Sequence, residues 1–91
     1  MSCVEKNVTI VNKYGLHARP AMRFVELANR HASSIEISKG DSLTVDGKSI
    51  MSVMRLAATK GTVLTLSAEG DDAQEAIDAL ASLIASGFDE D

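Results

Sequence analysis

Thr62-Val63-Leu64-Thr65-Leu66-Ser67-Ala68-Glu69-Gly70-Asp71-Asp72-Ala73-Gln74-Glu75-Ala76-Ile77 changes its apolar period midway. From Thr62 to Ala68, Leu64, Leu66 and Ala68 alternate with Thr65 and Ser67, which predicts a strand with one apolar face. Beyond the Glu69-Gly70-Asp71 turn, Ala73, Ala76, Ile77, Leu80, Leu83 and Ile84 keep a single helical stripe, predicting a helix over 72–86. A half-polar strand followed by a one-striped helix buries both apolar surfaces when the helix lies on the strand's inner face.

The same two periods recur toward the N-terminus. Val4, Val8 and Ile10 share one face of an extended segment, with Glu5, Asn7 and Thr9 on the other, and Asn12-Lys13-Tyr14-Gly15 reads as the turn that ends it. Ala21, Phe24, Val25, Ala28 and Ala32 then predict a helix over 18–31, with Pro20 in a first turn where its missing N–H costs nothing. Ile35 and Ile37 alternate with Ser34, Glu36 and Ser38 in a second strand. Leu43 and Val45 bracket Thr44 in a third, between turns at Gly40-Asp41 and Asp46-Gly47. A short helix from Ser49 to Ala58 closes at Lys60-Gly61. The order is βαββαβα, an α+β open-faced sandwich with an antiparallel sheet covered by helices on one face.

Composition narrows the setting. Ninety-one residues, 45% of them hydrophobic, suit one domain over 1–91 with a modest core. No apolar run approaches the roughly 20 residues that span a bilayer, so no membrane insertion is expected. Met1 to Asn7 carries no signal-peptide core, and Cys3 is the single cysteine, which together point to a reducing cytoplasm. Up to Lys60 there are nine basic residues against five acidic ones; beyond it there are eight acidic residues and no basic one. The first two-thirds can therefore present a positive surface to an acidic partner. Nucleic acid is a poor partner for a chain of net charge -4 whose aromatics are Tyr14, Phe24 and Phe88.

Gly15-Leu16-His17-Ala18-Arg19-Pro20-Ala21 stands where the first strand passes into the first helix. A helix N-terminus exposes unpaired N–H groups and the positive end of the macrodipole, so it receives anions. A histidine just ahead of it would hold a phosphoryl group within reach of those N–H groups, and Arg19 adds a planar cation suited to phosphate. Imidazole titrates near neutral pH, which suits a group that must both accept and release. By itself a histidine at this place reads equally as a surface residue or cap neighbour. His31 is at the other end of the helix, about 20 Å away at 1.5 Å per residue, so the two cannot share a metal ion; it reads as a complement to the helix C-terminus. No metal and no cofactor is expected.

This segment resembles the active-site signature of HPr, the histidine-containing phosphocarrier of the bacterial phosphotransferase system. Gly47-Lys48-Ser49-Ile50-Met51-Ser52-Val53-Met54 is similar to the same family's regulatory-serine segment, at the family's usual separation. The resemblance implies a four-stranded antiparallel sheet with three helices on one face. It implies that His17 takes phosphate on Nδ1 from phospho-Enzyme I, charged by phosphoenolpyruvate, and passes it to an IIA-type protein, with Arg19 as electrostatic partner. A paralogue without carrier function has glutamine at the histidine position; this chain keeps the histidine. The protein is then a substrate in each half-reaction and no free-standing enzyme.

The second helix can be read without the family. At 100° per residue, Leu56, Val53, Ala57, Ile50, Met54, Ala58 and Met51 cover an arc of roughly 220°, wider than one sheet-facing side requires. Val53, Leu56 and Ala57 are the better core candidates, while Met51 and Met54 lie on the shoulder, either in water or under a loop. Ser49 occupies an N-cap position, and capping alone accounts for a serine there. The resemblance adds a docking surface for Enzyme I over Ile50, Met51 and Met54, and phosphorylation of Ser49 by an HPr kinase/phosphorylase.

Two readings remain open. Leu56-Ala57-Ala58-Thr59-Lys60-Gly61-Thr62 and the Phe88-Asp89-Glu90-Asp91 ending look closer to proteobacterial HPr and its nitrogen-related paralogue NPr than to Gram-positive HPr. From another class comes a regulatory binding module that acts through Ser49, Met51 and Met54 without transferring phosphate. A monomer is expected in either case.

Overall fold

Alternating apolar residues produce four strands, and striped segments three helices. These are β1 (Ser2–Thr9), α1 (Ala18–Ala28), β2 (Ser34–Lys39), β3 (Leu43–Asp46), α2 (Ile50–Met54), β4 (Val63–Gly70) and α3 (Ala73–Ala85), with a 3₁₀ turn at Gly87–Asp89. The computed structural model describes residues 2–89, Ser2 by its backbone only; Met1 and the Glu90-Asp91 part of the acidic ending lie outside the described residues.

The sheet order is β1-β4-β2-β3 and every pairing is antiparallel. Register explains the core. Val8 faces Leu64, Ile37 faces both Leu66 and Val45, and Ile35 faces Ala68, so the apolar positions of all four strands fall on one face. Helix α3 packs on β1 and β4, α2 packs on β3, and α1 packs against both helices. Phe24, Val53, Leu80 and Ile84 from the three helices are fully buried with Ile37, Leu66 and the other sheet residues. The opposite face carries Glu5, Glu36, Ser67 and Glu69 and stays polar. The result is the four-stranded open-faced sandwich with three helices.

Two helices are shorter than their periodicity predicts. Helix α1 stops at Ala28 instead of residue 31. Asn29 caps it, and the N–H groups of Arg30 and His31 bond three residues back, to Leu27 and Ala28. Two side chains hold that tightened end: Asn29 Nδ2 donates to Val25 O (2.9 Å) and Lys48 O (3.2 Å), and Lys48 Nζ donates to His31 O (2.7 Å). Ala32 therefore leaves the stripe and is exposed. The His31 ring keeps to the helix end, with Nδ1 3.2 Å from Leu27 O.

Helix α2 spans Ile50–Met54 and does not reach Ala58. After Met54 the bonds tighten to Leu56 N→Val53 O and Ala57 N→Met54 O, both 3.1 Å, and Ala57 turns left-handed at φ 47°. A helical arc no longer applies beyond that residue. Val53 and Leu56 are buried as expected, but Ala57 is exposed and Ala58 is buried in its place.

Candidate functional site

The site is assembled by a turn seated on a second turn. Gly15 N donates to Asn12 O (3.2 Å), and the buried Asn12 side chain donates from Nδ2 to Gly15 O (2.8 Å), closing the 12–15 segment from both directions. Leu16, itself buried, donates its N–H to Ala58 O at 2.9 Å. Gly15 has φ 65°, and a Cβ there would overlap the Ala58 carbonyl oxygen and approach Thr59 Cα to 2.9 Å. Only glycine allows that approach. The left-handed Ala57 presents the Ala58 carbonyl, so the end of α2 supports the segment that carries His17.

His17 is the N-cap of α1, with φ -76° and ψ -174°, and its side chain makes no capping bond to the helix. Its backbone carbonyl accepts from Ala21 N at 3.0 Å. The first helical N–H groups, those of Ala18 and Arg19, have no carbonyl one turn back within the helix, and Pro20 has no N–H. An anion at the head of α1 would meet these amide donors and the field of an 11-residue helix. Arg19, the second residue of α1, is exposed like His17.

Beside His17 stand residues that the sequence reading did not single out. The Tyr14 ring is edge-on to the His17 ring, centroids 6.1 Å apart and planes at 88°. Lys13 Nζ lies 5.2 Å from the Tyr14 centroid. Further along α1, Met22 is half exposed. Tyr14 had a legible signal, an aromatic residue inside a polar turn. Met22 lies off the stripe of Ala21, Phe24, Val25 and Ala28, and its exposure follows from that periodicity.

Ser49 is the N-cap of α2, as its position predicts, and its Oγ accepts from Ser52 N at 3.4 Å. Ile50 is 37% exposed, Met51 78% and Met54 40%, so the shoulder of α2 faces water. Since α1 and α2 are packed together, His17 leads one of two adjoining helices and Ser49 the other.

A separate cluster ties the C-terminal helix to the α1–β2 connection. The Asp72 carboxylate accepts from Ala32 N (3.0 Å), Ser33 N (2.9 Å) and the Ser33 hydroxyl. The Ser33 hydroxyl above all, then the Ala32 N–H, lower the Asp72 pKa to about 2, with smaller help from Ser33 N–H and nearby His31. Among the described residues, no three His, Cys, Asp or Glu side chains are placed to hold a metal ion. Nor is any helix among the described residues long and apolar enough to cross a membrane. A groove of about 530 Å³ runs between β1 and α3, lined by Lys6, Val8, Val11 and Asp78 among others, but His17 is not part of it. The histidine stands on an open surface, accessible to another macromolecule.

Fold and site together define a small open-faced sandwich that presents one exposed histidine at a helix head, the class of the histidine-bearing phosphocarriers. The family model described as "PTS HPr component phosphorylation site" matches residues 4–86. Phosphocarrier protein HPr of Pseudomonas aeruginosa is 51% identical over 83 residues, covering 91% of this chain and 92% of that protein. Phosphocarrier protein NPr of Proteus mirabilis is 36% identical over 86 residues, covering 94% and 96%. The crystal structure of HPr-C-His from Thermoanaerobacter tengcongensis superposes with a TM-score of 0.92 at 50% identity, covering 97% of this chain and 98% of that one. The chain belongs to the HPr family of phosphocarrier proteins of the phosphotransferase system.

Proposed function

We propose that His17 is the phosphoryl acceptor, loaded by phospho-Enzyme I and unloaded onto an IIA-type protein. The observation that carries this reading is the exposed His17 side chain at the head of the 11-residue helix α1, whose first amides, Ala18 and Arg19, have no acceptor one turn back within the helix. An unprotonated ring nitrogen of His17 attacks the phosphorus held by the donor. The new N–P bond forms as the donor's bond to phosphorus breaks, and the donor leaves with the electron pair. The Ala18 and Arg19 amides and the Arg19 guanidinium balance charge on the phosphoryl oxygens, so positioning and electrostatics supply the catalysis. The same geometry then serves in reverse toward the IIA-type acceptor. Ile50, Met51 and Met54 would meet Enzyme I, since exposed methionines adapt to more than one partner surface.

The chain acts as a monomer in the cytoplasm in this reading. Lys6 supports the first part: it pairs with Leu66 across β1 and β4, an inward register position on an edge strand, and such a charge opposes edge-to-edge pairing. The assay is incubation with phosphoenolpyruvate and Enzyme I. Wild type should acquire an acid-labile, base-stable phosphate that is absent in His17→Ala. No labelling by either the sugar or the nitrogen Enzyme I overturns the carrier reading, and preference for one of them assigns the branch.

Ser49 is the proposed point of control by an HPr kinase/phosphorylase. Phosphate there adds roughly two negative charges beside an apolar docking surface while remaining compatible with a helix N-terminus. Ser49→Asp, an imperfect mimic, should slow His17 labelling by Enzyme I, and equal rates for mutant and wild type would count against this control. A non-transferring regulatory module built on the same Ser49, Met51 and Met54 surface is the remaining alternative, and the His17 assay separates the two.

A further inference from the structure

Of the three aromatic residues, Phe24 and Phe88 are fully buried, whereas Tyr14 is 68% exposed. That exposure does not come from a slack loop. The backbone beneath Tyr14 is fixed by the two Asn12–Gly15 bonds and by Leu16 N on Ala58 O. From this rigid base the tyrosine ring stands perpendicular to the His17 ring, and the Lys13 ammonium rests 5.2 Å from its centre. A 6.1 Å centroid separation at 88° is the edge-to-face arrangement that aromatic pairs prefer.

We propose that Tyr14 is a positioning residue for phosphoryl transfer, holding the His17 imidazole in one orientation. The inference rests on the reading of His17 as acceptor. A histidine side chain has several staggered rotamers open to it, and transfer needs the one that aligns its nucleophilic nitrogen with phosphorus. An edge-to-face partner biases that choice by about two- to tenfold. The ring supplies the contact and the phenol hydroxyl has no part in it. Lys13 braces the tyrosine through a cation–π contact.

The test uses the full chain as wild type, Tyr14→Ala and Tyr14→Phe, with phospho-Enzyme I as donor. Transfer is measured across a range of carrier concentrations, and His17 side-chain rotamers are measured by three-bond couplings in the free protein. Tyr14→Ala should lower the saturating transfer rate about two- to tenfold. The concentration at half-saturation should hold, while the His17 rotamer populations shift. Tyr14→Phe should restore both rate and rotamer. Unchanged His17 rotamers in Tyr14→Ala overturn the proposal, and so does a change confined to the half-saturating concentration, which would make Tyr14 a docking contact. If wild type takes no label from any Enzyme I, the acceptor reading fails by itself, and the couplings still decide whether Tyr14 holds the ring.

Discussion

Ala57 sits at a φ of 47° in a position that glycine would occupy without strain, and its carbonyl neighbour Ala58 receives Leu16 N. A left-handed alanine costs roughly 1–2 kcal/mol, partly offset by the greater backbone entropy that glycine loses on folding. Ala57→Gly should therefore raise unfolding stability by about 0.5–1 kcal/mol, read as a higher urea midpoint with an unchanged slope. Gly15 is the complementary case: its turn is crowded by Ala58 and Thr59, so a side chain there would force the His17 segment away from its seat. Both residues are ordinary in the sequence. Their importance comes from a contact between residues more than 40 positions apart, which no local pattern records.

At the scale of elements, helix ends are governed by side chains from elsewhere. Asp72 precedes α3 but makes no side-chain bond to that helix; its carboxylate instead receives the Ala32 and Ser33 groups of the α1–β2 connection. Its pKa falls from 3.8 to about 2 on folding, chiefly through the Ser33 hydroxyl. A depressed carboxylate stabilises the fold fully above its unfolded pKa and loses that contribution as pH falls through the folded value. The expected loss lies between about pH 4 and pH 2. Asp72→Asn should lower stability at neutral pH and flatten this acid limb, measured by thermal unfolding across pH 2–7. An unchanged acid limb would assign that pH dependence to other carboxylates. The three helices were legible as stripes, and the Ser49 cap as a serine before an apolar run. The shortened ends of α1 and α2 were not legible, because Lys48, Asn29 and the left-handed Ala57 set them.

Across the whole molecule, the C-terminal turn links the last helix to the site. Phe88 is fully buried at φ 58°, and its carbonyl accepts from Arg23 Nη1 at 2.7 Å; Asp89 adds a 3.4 Å ion pair to the same guanidinium. Gly87 packs near Val11 and Asn12, the residues leading into the His17 turn. Phe88→Ala should cost about 3–5 kcal/mol from lost burial and the cavity left behind, visible in chemical denaturation. The exposed ion pair adds little, so Asp89→Ala in the same measurement should shift stability by less than about 1 kcal/mol. What the sequence alone determined was the order of strands and helices, the apolar face of each, and the histidine at a helix head, because these follow from periods of two and 3.6 and from local capping chemistry. The tertiary structure decided that Ala58 seats the His17 segment, that Asp72 clamps a loop some 40 residues away, and that Tyr14 stands against the His17 ring. The first two are contacts between segments whose relative placement is fixed only once the sheet has paired and the helices have packed upon it. The third is local in sequence, but its geometry belongs to the 12–15 turn that the Ala58 carbonyl seats.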